Sequence, residues 1–187
     1  MAKRSLILLP GLLCDAALWA HQAAHLGDLC VVTVADLTQD DGIAAMAERV
    51  LAAAPRSFCL AGLSMGGYVA QEIMRQAPQR VERLALLDTN ARADTAEQVK
   101  TRRELIRLSQ VGKFKGVTPR LLPNLIHPSR MDDPAVAGVV LAMAERVGQE
   151  AFARQQAAIM GRVDGRGDLA AIRVPTLVLC GRQDLLS

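Results

Sequence analysis

Cys59-Leu60-Ala61-Gly62-Leu63-Ser64-Met65-Gly66-Gly67 is the stretch on which the reading of this chain turns. The apolar run Phe58 to Ala61 has the length and composition of a buried strand. After Ser64, Val69 and Ile73 fall at helical spacing, and the pattern runs to Gln76 before Pro78 closes it. Between strand and helix the chain must turn sharply at Gly62-x-Ser64-x-Gly66, where glycines remove the Cβ atoms that would collide. A serine on such a turn is held in strained backbone geometry above the carboxyl edge of a sheet. It also lies close to the positive end of the following helix, where developing negative charge is stabilised. Ser64 is the candidate nucleophile.

Outward from this turn, short apolar runs alternate with helical patterns, the form taken by βαβ units that build a parallel sheet. The other expected strands are Leu6 to Leu9, Cys30 to Val34, Leu84 to Leu87 and Thr176 to Cys180. A helix is expected from Gly42 to Ala54, with Ile43, Met46, Val50 and Leu51 on one face, Asp40 or Asp41 as its cap and Pro55 ending it. From Ala93 to Gly165 the alternation gives way to helical patterns broken at Gly112, Gly116, Pro119, Pro123, Pro128 and Pro134. Its pieces, Thr95 to Ser109, Pro134 to Val147 and Glu150 to Met160, read as a helical cap over the strand ends. The expected fold class is α/β, a mostly parallel sheet flanked by helices with a helical cap insertion. Residues 1–92 form the first part of the core, 93–165 the cap and 166–187 the continued core.

Composition narrows the function. Among 187 residues, 51% are hydrophobic and 22% charged, as in a globular domain with one sizeable core. The net charge of +3 comes from scattered residues, with no basic stripe to neutralise phosphates, and aromatic residues at 3% leave few base-stacking platforms, so no nucleic-acid partner is expected. Lys100, Arg102 and Arg103 beside Glu97 and Glu104 read as a solvated helix face. The N-terminal Lys3 and Arg4 precede an apolar run that Pro10 and Gly11 interrupt, which suits a first strand and its turn better than an export signal. No run approaches the roughly 20 apolar residues that span a bilayer, so no membrane partner is expected. Cys14, Cys30, Cys59 and Cys180 lack CxxC spacing and read as buried thiols of a cytoplasmic protein.

Two further segments belong with the serine. Leu8-Leu9-Pro10-Gly11-Leu12 ends the first strand, and acyl transfer needs two backbone N–H donors aimed at the oxyanion, one from such an early loop and one from the residue after the nucleophile. Leu12 and Met65 take those positions. Leu179-Cys180-Gly181-Arg182-Gln183-Asp184 runs from a strand into a carboxylate that could orient a histidine, and Asp88, after the Leu84 to Leu87 strand, competes for that role. With these segments in this order, the chain resembles the α/β-hydrolase superfamily, of the small bacterial esterase and lactonase type with a helical cap. The resemblance implies Ser64 as nucleophile, Asp184 as triad acid, Leu12 and Met65 as amide donors, and no metal or organic cofactor.

The resemblance also places a histidine beyond the acid, after one further strand and before a last helix, whereas this sequence runs to Ser187. A chain lacking that strand and helix is expected to be feebly active and to leave the Thr176 to Cys180 edge open, which admits a homo-oligomer. The histidines present are His21, His25 and His127. His21 and His25, one turn apart, read as a helix-surface pair rather than metal ligands, and His127 as a cap-loop residue. The expected function is a serine hydrolase of small carboxylic esters, lactones or thioesters working through an acyl-enzyme. The alternative is an inactive fragment or binding protein that keeps the fold and lacks the triad histidine. Dehalogenase chemistry fits less well because it wants Asp at position 64.

Overall fold

The computed structural model describes residues 3–111, 114, 116–117 and 121–186. Five strands form one sheet in the order β2-β1-β3-β4-β5, and every neighbouring pair is parallel. These are β1 (Arg4–Leu9), β2 (Cys30–Val34), β3 (Phe58–Leu63), β4 (Val81–Leu87) and β5 (Thr176–Leu179). The alternation of apolar runs and helical patterns produces this arrangement because parallel neighbours need a crossover between them. β3 extends past its apolar run through Gly62 and Leu63, which pair with Leu86 and Leu87 of β4.

The helices are α1 (Ala20–Leu26), α2 (Ile43–Ala53), α3 (Met65–Gln76), α4 (Ala96–Ser109) and α5 (Val139–Met160). The amphipathic pattern of α2 buries Ile43, Met46, Ala47 and Val50. Its start corrects the expectation of an aspartate cap. Gly42 is the N-cap with no side-chain bond, and Asp40 is drawn away by Arg49, whose Nε donates to Asp40 Oδ2 at 2.6 Å and whose second nitrogen donates to Oδ1 at 2.8 Å. A bidentate charged pair is stronger than one bond from a carboxylate to an exposed amide. Ala54, at ψ 149 before Pro55, ends the helix because a residue preceding proline is kept out of helical geometry. α4 starts in a capping box, with the Thr95 hydroxyl accepting from Gln98 N and Gln98 Oε1 accepting from Thr95 N.

One face of the sheet carries Ile7, Leu9, Leu60, Leu84 and Leu86 against α2, α3 and the end of α5. Side chains of this kind each contribute about 1.5–3 kcal/mol when buried. The other face carries Leu8 and Ala61 under Trp19. Between β4 and β5 the described chain is helical, and Val117, Leu122, Ala137, Ala144 and Phe152 gather into a cluster of their own that also takes in Leu13 from the loop after β1. The expected breaks at Gly112 and Pro119 lie outside the described residues, as does Ser187. Gly116 has φ 59, Pro123 and Pro128 sit in 3-10 turns, and Pro134 opens a π-helical turn leading into α5.

Candidate active site

Ser64 caps the N-terminus of α3 directly after β3, with φ 53 and ψ −115, a left-handed conformation that costs a non-glycine residue about 1–3 kcal/mol. The surroundings fix it there. Its N–H donates to Leu87 O at 3.0 Å, and its carbonyl accepts from Gly67 N at 2.9 Å and from the Thr89 hydroxyl at 2.8 Å. The spacing of the two glycines is steric. A Cβ on Gly62 would stand 2.3 Å from Gly66 O, and one on Gly66 would stand 2.1 Å from Leu9 O, so α3 starts directly against the end of β1. Ser64 is half-buried.

The loop after β1 reaches the same place. A Cβ on Gly11 would lie 3.5 Å from Ser64 Cβ. Cys14 N donates to Gly11 O at 3.1 Å, closing a turn with Leu12 and Leu13 at its centre, and Leu13 has φ 58. A turn with φ above zero at its third residue ordinarily takes glycine there. Leu12 is half-buried and Met65 is fully buried. The Cys14 thiol donates to Leu12 O at 3.4 Å, and desolvation pushes its pKa up to about 11, so it stays a thiol at neutral pH.

The two candidate acids meet at the ends of β4 and β5. One carboxylate oxygen each of Asp88 and Asp184 and the Cys180 sulfur lie within 4.8 Å of one another. Asp88, at φ 41, donates its N–H to Leu179 O at 2.9 Å and accepts from Gly181 N at 2.7 Å through its side chain. Asp184 accepts from Leu186 N at 2.7 Å and from the Cys180 thiol at 3.6 Å. Asp88 follows Leu87, whose carbonyl receives the Ser64 amide, so these carboxylates stand on the serine's side of the sheet.

The histidines lie elsewhere. His21 and His25 are exposed on α1 with rings stacked at 4.1 Å, and α1 packs on β2, at the opposite edge of the sheet from Asp184. His127 is exposed and caps its own 3-10 turn, accepting from Ser129 N at 3.2 Å. The cysteines correct the reading of four buried thiols. All four are free, but Cys180 is exposed and the other three are half-buried, because Cys30 stands on an edge strand and Cys180 follows the other.

Three residues escaped the reading of the sequence. Thr89, in the loop after β4, locks the Ser64 carbonyl. The Asp94 side chain, 1% exposed, accepts from Arg102 at 2.6 Å and from Arg162 at 2.7 Å, and Arg162 lies 4.3 Å over the Tyr68 ring. Arg102 is therefore no solvated face residue. Gln155 is buried and bonds to two core loops. Its one signal in the sequence is an amide amid the apolar residues Phe152, Ala158 and Ile159.

The sequence pattern of the alpha/beta hydrolase family matches residues 6–187, nearly the whole chain. The chain belongs to that family. Its relatives include a putative carbamate hydrolase, RutD, of Rhizobium rhizogenes, 29% identical over 200 residues that cover 98% of this chain and 76% of that protein. A thermophilic esterase from Thermogutta terrifontis is 27% identical with a TM-score of 0.87, covering 100% of this chain and 74% of its own. The enol-lactonase from Burkholderia xenovorans LB400 shares the fold at 24% identity and a TM-score of 0.87, over 100% of this chain and 75% of its own. The family's relatives are hydrolases, and the five-stranded parallel sheet with flanking helices is the family's fold. Among the described residues no helix is long and apolar enough to cross a membrane.

Proposed function

We propose that this alpha/beta hydrolase family member is a serine hydrolase that cleaves small carboxylic esters, lactones or thioesters through an acyl-enzyme on Ser64. The observation that carries the reading is the left-handed Ser64 at the head of α3, pinned by Leu87, Gly67 and Thr89. A strained serine over-determined by its neighbours at a strand-to-helix turn is the geometry of an activated nucleophile. In this reading Ser64 Oγ adds to the substrate carbonyl carbon while its proton passes to a general base oriented by Asp184. The amides of Leu12 and Met65 hold the oxyanion, and the intermediate collapses by expelling the alcohol or thiol, which takes up the proton. Water then releases the acid. The helical residues 93–165 serve as a cap over the substrate, and no cofactor enters. The cytoplasmic location proposed with this activity is supported by the free cysteines.

A second reading, a binding protein that keeps the fold without turnover, is favoured by one observation: the three histidines are exposed on α1 and on a 3-10 turn of the helical segment. One experiment separates the two. A p-nitrophenyl phosphonate should modify the protein once, at Ser64, with release of p-nitrophenolate, and Ser64→Ala should stay unmodified. Modification elsewhere, or none, overturns the hydrolase reading.

A further inference from the structure

The turn Gly11–Cys14 is held from the far side of the molecule. Leu13 N–H donates to Gln155 Oε1 at 3.0 Å, and Gln155 Nε2 donates to Leu37 O at 3.1 Å. Gln155 has no exposed surface, so its amide is desolvated, and both of its ends are used across 142 and 118 residues of sequence. A leucine or methionine would fill the same volume without desolvating an amide, so packing alone does not explain a glutamine here. What the glutamine adds is direction at one peptide plane, the one joining Leu12 to Leu13. That plane leads into a leucine at φ 58, a conformation that relaxes to negative φ unless its neighbours hold it. The Leu13 side chain is gripped as well, in the cluster of Val117, Leu122, Ala137, Ala144 and Phe152. Two residues on, Arg146 donates to both carboxylate oxygens of Asp15 at 2.7 and 3.1 Å, so α5 holds the loop at a second point.

We infer that Gln155 is a positioning residue: by holding the Leu13 N–H it fixes the Gly11–Cys14 turn, and through that turn the preceding Gly11–Leu12 peptide, whose Leu12 N–H is aimed at the oxyanion above Ser64. This rests on the acyl-transfer reading. Gln155 touches no reacting atom. It makes the helical segment a determinant of the site's chemistry as well as a cover for the substrate.

The test uses two probes on the protein: a p-nitrophenyl phosphonate and its phosphonothioate analogue, both of which release p-nitrophenolate when Ser64 attacks. Sulfur accepts hydrogen bonds weakly, so the ratio of P=O to P=S labelling rates reports the oxyanion contacts and cancels the amount of competent protein. Deleting one such donor outright costs about 10²–10³ in rate, so a misaimed one should cost at least about tenfold. Gln155→Met should lower the ratio by about that factor. Gln155→Glu keeps the length and an acceptor for Leu13 N–H, and should hold the ratio within about twofold of the native value by the same reasoning.

No labelling of the native protein would overturn acyl transfer. Labelling with an unchanged ratio in Gln155→Met, or an equal loss in Gln155→Glu, would overturn the role of Gln155 alone. Should Gln155→Met not fold, the Glu variant's ratio still reads the role, together with deuterium exchange at the native Leu13 amide. That amide should exchange at least about 100-fold more slowly than in a free peptide, as a buried, bonded amide does, and exchange at the free rate overturns the inference.

Discussion

Asp94 meets two guanidinium groups and almost no water. Arg102 Nε and one Arg162 nitrogen each bond to a different carboxylate oxygen, Arg102 also donates to Gln156 Oε1 at 2.8 Å, and Arg162 Nε donates to Arg92 O at 2.8 Å. Taking one member from such a group leaves buried charge uncompensated, which costs about 3–5 kcal/mol. Asp94→Asn keeps the shape and removes the charge, so it should lose about 3 kcal/mol of stability in urea unfolding; a loss below about 1 kcal/mol would mean water reaches the pair. At this scale the sequence was uneven. Ser64 was legible because its constraint is local, two glycines and the strand and helix beside them. Arg102 was misread because its partners come from the loop after β4 and from α5, and periodicity along one helix carries nothing about what packs on it. The acid stayed a choice between Asp88 and Asp184 for the same reason: the ends of β4 and β5 bring them together across 93 residues at the bond from Gly181 to Asp88.

α5 shows what an element adds. Its two halves meet at Gly148, with φ 76 and ψ 177, a conformation essentially reserved for glycine. The sequence reading has Pro134 to Val147 and Glu150 to Met160 as separate pieces, and the boundary between them falls at this glycine. It did not reveal that Arg146, before the break, and Gln155, after it, would hold the same loop. The Arg146 contact gives a pH prediction. Its hydrogen bond lowers the Asp15 pKa from the ordinary 3.8, with burial opposing. A carboxyl whose folded pKa is depressed contributes stability above its unfolded pKa and loses it as pH falls through the folded value. The native protein should therefore be more stable than Arg146→Met near neutral pH, by a small margin since solvent screens the largely exposed pair. The gap should close as pH falls through 3.8 and below, and should narrow in high salt. Urea midpoints for both proteins across that range check it; a gap that widens in acid reverses the sign and rules the contact out as its source.

Over the whole molecule, the parallel sheet was legible as alternation, since each buried run had to be followed by a crossover. The order β2-β1-β3-β4-β5 was not, because identical alternation serves several orders and the choice lies in which faces the helices cover. That coverage is uneven. α2, α3 and the end of α5 close one face, while β5 is exposed along its whole length. Leu177, Val178 and Leu179 stand 56%, 71% and 53% exposed, with Leu185 and Leu186 exposed just beyond. Among the described residues β5 pairs only with β4, so the other side of a short apolar strand offers free N–H and C=O groups. We propose that two copies of this 187-residue chain pair through β5, and that sedimentation will show mass rising with concentration. A lysine on such an edge opposes pairing, because two copies brought together would bury like charges at close range. Val178→Lys should therefore shift the chain toward monomer, more strongly at low salt than at high. Leu108→Lys, which puts the same charge on an exposed leucine of α4, should leave the association unchanged. A chain that stays monomeric at every concentration, or an association that Val178→Lys leaves untouched, would show that the exposed strand is not where copies meet.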